Sequence, residues 1–88
     1  MWIKAVNERD AYHEIKLTDD EVRNLEEYLS KETKQNVKVE SICFYDREWF
    51  AASELEEFYC DVFTNIGTFK VDYSIWRWED RKVWSLRD

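Results

Sequence analysis

The chain has 88 residues, a formal charge of −7 and a pI near 4.7, with no proline, one glycine and five each of Phe, Trp and Tyr. That length supports one hydrophobic core, so residues 1–88 read as a single domain, and the aromatic load is too high for a disordered chain of this charge. One glycine excludes glycine-rich phosphate loops, and the negative field disfavours direct contact with nucleic acid or a phospholipid surface.

Residues 2–6 and 11–17 read as a hairpin around Asn7, Glu8, Arg9 and Asp10, because His13, Ile15 and Leu17 alternate with Tyr12, Glu14 and Lys16. Thr18-Asp19-Asp20-Glu21 has the form of a capping box, and Val22, Leu25 and Leu29 follow at helical spacing, predicting a helix that ends near residues 34–36. Residues 37–45 are β-branched and aromatic. Their apolar parity changes between Val37/Val39 and Ile42/Phe44, which predicts a strand with a bulge or one buried on both faces. Residues 46–52 carry no decisive pattern.

Ser53-Glu54-Leu55-Glu56 repeats the capping-box form, and Leu55, Phe58, Tyr59, Val62 and Phe63 recur at i, i+3, i+4, i+7 and i+8. This predicts a second helix ending at Asn65 or Gly67. Residues 68–78 then alternate and return through residues 83–86 as a hairpin. The expected class is α+β, with two helices on one face of a mainly antiparallel sheet in the order β-β-α-β-α-β-β.

Few groups suggest catalysis. His13 is the only histidine, and no sequence context singles out Ser41, Ser53, Cys43 or Cys60 as a nucleophile for it to serve. Cys43 and Cys60 form no CxxC pair and have no zinc-ligand spacing, so they read as free thiols in a reducing compartment. No run of the sequence approaches membrane-spanning length. The expectation is a cytoplasmic, non-enzymatic protein without metal or cofactor.

Two constellations remain. From Glu8 to Asp61 there are sixteen acids against seven bases, and in the predicted second helix Glu54, Glu57 and Asp61 line one flank, with Asp46 and Glu48 just before them. Asp19, Asp20, Glu26 and Glu27 decorate the first helix. Such a surface keeps a protein soluble, but like-charge density of this kind also costs folding free energy, which suggests selection for a basic partner. The second constellation is apolar: if the last hairpin turns at Asp80-Arg81, Trp76, Trp78 and Val83 share a face that is either covered within the chain or used for partner binding or a homodimer.

In size, pI and acidic runs such as Thr18-Asp19-Asp20-Glu21 and Glu54-Leu55-Glu56-Glu57, the chain resembles the small DNA-mimic proteins encoded by bacteriophages. That resemblance implies an inhibitor acting in the host cytoplasm, whose carboxylates stand in for DNA phosphates on a basic nucleic-acid-binding protein such as a nucleoid protein, nuclease or polymerase. The neutral last third departs from the pattern. Two other readings fit the same residues: a toxin-immunity protein plugging a basic nuclease toxin, and a homo-oligomeric structural or regulatory domain built on the tryptophan face.

Overall fold

The computed structural model describes residues 2–5 and 13–87. Its elements run β1 (Trp2–Ala5), β2 (His13–Lys16), α1 (Asp19–Thr33), β3 (Val39–Phe50), β4 (Leu55–Thr64), β5 (Gly67–Trp76) and β6 (Arg81–Leu86). Strands β3 to β6 form an antiparallel meander with α1 packed on one face. At the β3 edge, β1 joins in parallel and β2 pairs antiparallel with β1. The connection between β1 and β2, including Asn7 and Asp10, lies outside the described residues.

The helix α1 begins as its sequence predicts. The Thr18 hydroxyl accepts from the Glu21 amide at 3.2 Å while the Glu21 carboxylate accepts from the Thr18 amide, so two orphan donors are satisfied reciprocally. Lys34, left-handed at φ 57°, ends the helix.

The expectation of a second helix is overturned: residues 55–64 are the strand β4, and the order is β-β-α-β-β-β-β. Its apolar residues fit both periods. As a strand, Glu56, Phe58, Cys60, Val62 and Thr64 turn toward α1 while Leu55, Glu57, Tyr59, Asp61 and Phe63 turn away, so rings on both faces imitate a helical stripe. Every residue from 58 to 64 except Asp61 is aromatic, β-branched or cysteine, the types that suit a pleated surface. Pairing decides the contest. β4 finds ladder partners along its whole length in both β3 and β5, which a helix would have left bare. The apparent capping box forms the β3–β4 turn, where Glu54 is left-handed at φ 48° and its amide donates to the Ala51 carbonyl.

β3 carries register shifts between Val39 and Ser41 and between Phe44 and Asp46, the first where the parity change predicts a bulge, and it continues through the undecided segment to Phe50. In the last hairpin Trp76 faces Arg81, whereas a turn at Asp80-Arg81 would have set it against Ser85. That displacement is an even number of residues, so Trp76 and Val83 keep the shared face predicted for them, whereas Trp78 falls in the turn.

The core is the seam between α1 and the sheet. Leu25 and Leu29 are fully buried against Ile42, Phe44, Cys60, Val62 and Val71, with Tyr73 and Trp84 stacked at 4.0 Å between ring centroids. Glu21 ties the layers together: its carboxylate accepts from the Tyr73 hydroxyl at 2.5 Å, and its carbonyl accepts from the Trp84 indole N–H. Beyond the helix N-terminus the β3–β4 and β5–β6 turns project as a tip, braced on the helix side by Glu56. That carboxylate is nearly buried and takes both the Arg47 and the Arg77 guanidinium at 2.5 Å.

Candidate functional site on the open sheet face

Because side chains alternate along each strand, the meander presents a second face that no described element covers. Its register sets out cross-strand rows. At the tip stand Phe50, Leu55, Trp76 and Arg81; next come Glu48, Glu57, Ser74 and Val83; then Asp46, Tyr59, Asp72 and Ser85; then Cys43, Asp61 and Lys70. Phe50 remains 41% exposed and Val83 38%.

The charges on this face divide into two kinds. Asp61 pairs with Lys70 at 3.1 Å, and Asp72 pairs with Arg87, which also donates to the Tyr45 hydroxyl and lies 4.6 Å from the Tyr59 ring centroid. Burial works against the Arg87 charge, but the Asp72 and Tyr45 hydrogen bonds outweigh it and raise its pKa. By contrast, no lysine or arginine among the described residues pairs with Asp46, Glu48 or Glu57. Glu48 and Glu57 stand directly opposite each other, an arrangement that costs free energy between like charges. Glu57 accepts from the Tyr59 hydroxyl at 3.0 Å and from Ser74 at 3.4 Å. Burial, together with the carboxylates of Glu57 and Glu48, pushes the Tyr59 hydroxyl well above the usual phenol range and keeps it a donor.

The structure regroups the residues singled out in the sequence. It brings Asp46, Glu48 and Glu57 onto the face that also holds Trp76 and Val83, so parts of the two constellations merge. The helical ridge of Glu54, Glu57 and Asp61 does not form. Glu54 lies in a turn, and Glu57 and Asp61, four residues apart on a strand, are separated by roughly 13 Å. Trp78 occupies the β5–β6 turn and is 75% exposed. Asp19, Asp20 and Glu27 sit on the solvent side of α1, across the molecule from the open face, with Asp20 paired to Arg23 at 3.2 Å. Glu26 is engaged in the fold, accepting from the Val39 amide at 2.8 Å.

Phe50 and Leu55 are the row members that sequence reasoning missed. Their signal was present as the period-two alternation of Asp46, Glu48 and Phe50, which lay in the undecided segment 46–52, and of Leu55, Glu57 and Tyr59, which the helical reading of 53–63 masked. Cys43 and Cys60 are free thiols on opposite faces of the sheet, Cys60 buried and donating to the Val71 carbonyl at 3.2 Å. Burial, with Asp61 and Asp72 nearby, pushes its pKa up to about 12. Among the described residues no three His, Cys, Asp or Glu side chains gather as a metal site. No family model, curated protein or solved structure matches the chain.

Proposed function

We propose that this chain is a small acidic binding protein that acts as an inhibitor, laying the open face of its sheet over the basic nucleic-acid-binding surface of another protein. The observation that carries this reading is the grouping of Asp46, Glu48 and Glu57 on one face, without a basic partner among the described residues, beside exposed Phe50 and Val83. Asp46 and Glu48, two apart on a strand, project their carboxylates about 6.5–7 Å apart. Glu48 and Glu57 are cross-strand neighbours at about 5 Å. A basic surface that tracks closely spaced phosphates meets negative charge at comparable intervals here, and each lysine or arginine exchanges a phosphate for a carboxylate.

The mechanism is competitive occlusion. A net charge of −7 steers the encounter, while the apolar row adds contact that salt does not screen. The test is affinity capture from bacterial lysate on the immobilised full chain, with elution by excess duplex DNA, followed by DNA-binding titration of the purified captured protein. The reading expects the chain and DNA to exclude each other from that protein. A captured protein that binds both together overturns it.

A further inference from the structure

We infer that the tip of the open face, with Phe50, Leu55 and Trp76 beside Glu48 and Glu57, docks an arginine-bearing segment of a partner protein, and that Arg81 yields the Trp76 ring to it. This rests on the reading that the chain binds a basic protein, and it specifies the chemistry of that contact.

The face already shows how it holds a guanidinium. Both arginines on it are gripped in two parts, by an aromatic ring and by a carboxylate. Arg87 lies 4.6 Å from the Tyr59 ring centroid and pairs with Asp72. Arg81 lies 4.5 Å from the Trp76 ring centroid and pairs with Glu79 at 3.3 Å. The Glu48/Glu57 pair repeats the carboxylate half of this arrangement between Tyr59 on one side and Leu55 and Trp76 on the other, and no cation of the described chain fills it.

Charge complementarity therefore calls for a basic occupant, and the rings favour a planar guanidinium over an ammonium ion. Arg81 is the weaker of the two internal pairs: its side chain is 56% exposed against 33% for Arg87, and its carboxylate partner lies in the adjacent turn. It can swing away and release the Trp76 face at small cost. Apolar residues flanking the incoming arginine would cover Phe50 and Val83. A second copy of the chain suits the row less well, since both copies carry a charge of −7 and bring the same carboxylates.

The test uses the full chain, labelled with 15N, titrated with a synthetic acetylated peptide Arg-Leu-Arg-Leu-Arg and with its lysine twin Lys-Leu-Lys-Leu-Lys. The arginine peptide is expected to shift the Trp76 indole N–H and the amides of Glu48, Leu55 and Glu57, and to bind at least about 3-fold tighter than the lysine peptide. Arg81→Gln is expected to raise arginine-peptide affinity by about 2- to 5-fold, and Trp76→Leu to abolish the preference for arginine. Equal affinity for the two peptides, shifts greatest at Asp19, Asp20 and Glu27, or concentration-dependent shifts of this row without peptide would each overturn the inference. Failure here is separable from failure of the inhibitor reading. Peptide docked on this row beside a captured protein that still binds DNA keeps the surface and removes the inhibitor; exclusion of DNA without peptide docking does the reverse.

Discussion

On the helix side of the meander Phe44, Cys60, Val62 and Val71 retain no more than 1% exposure, whereas on the other side of the same sheet Phe50, Phe63 and Val83 retain 38–41%. The polar groups differ in the same way. On the helix side Glu21 is bonded to Tyr73 and Thr18 and Glu56 to two arginines, while on the open face Glu48 and Glu57 confront each other. Strand alternation lets one sheet carry both surfaces: one side supplies burial and satisfied polar groups, and the other leaves apolar area and negative charge at the surface.

The sharpest way to break this contrast is to truncate one large side chain on each face. Leu25→Ala, where α1 packs on the covered face, is expected to cost about 2–5 kcal/mol in urea unfolding, and Phe63→Ala, on the open face, less than about 1 kcal/mol. Similar losses would mean that the open face also contributes to the core.

Glu56→Gln tests the brace at the tip. Its two arginine partners are half exposed and can turn to water, so the expected loss is about 1–3 kcal/mol, accompanied by faster amide exchange in residues 51–54 and 77–80. Unchanged exchange would show that the turns hold their shape without it.

Burial of Glu21 alone would raise its pKa, but hydrogen bonds from Tyr73 and Thr18 and the Lys82 charge hold it below the ordinary 4.5. The unfolded chain therefore binds the proton more readily. Ionised Glu21 stabilises the fold above about pH 4.5, and that contribution is lost as pH falls through the lower folded value. Glu21→Gln should flatten this part of the stability profile, and an unaltered acid slope would contradict the role given to its hydrogen bonds.

The smallest effect is chemical rather than energetic. Partly exposed Cys43 should react with iodoacetamide in the native protein, while Cys60, buried with its pKa pushed up to about 12, should react only on unfolding. Equal labelling rates would place both thiols on accessible surfaces.

Much of the helix-covered side was legible in the sequence. The Thr18 to Glu21 box and the Val22, Leu25, Leu29 stripe specify α1 locally, and the Phe69, Val71, Tyr73 alternation specifies β5, because each pattern admits one period. Residues 55–64 were not legible. They satisfy both periods, and the choice rests on β3 and β5, whose long-range pairing a local pattern does not encode. The candidate site inherited the error. Asp46, Glu48 and Glu57 were selected for their charge, but their grouping with Trp76 and Val83 depends on the sheet register.

The most direct measurement is a matched neutralisation on opposite sides of the molecule. Glu48→Gln with Glu57→Gln, and Asp19→Asn with Asp20→Asn, each remove two negative charges, the first pair from the open face and the second from the helix N-terminus. Both double variants would be titrated against the acetylated Arg-Leu-Arg-Leu-Arg peptide at fixed ionic strength. The expected loss is about 10-fold or more for the sheet pair and less than about 2-fold for the helix pair. Equal losses would contradict it, leaving net charge, and not the open face, as the source of binding.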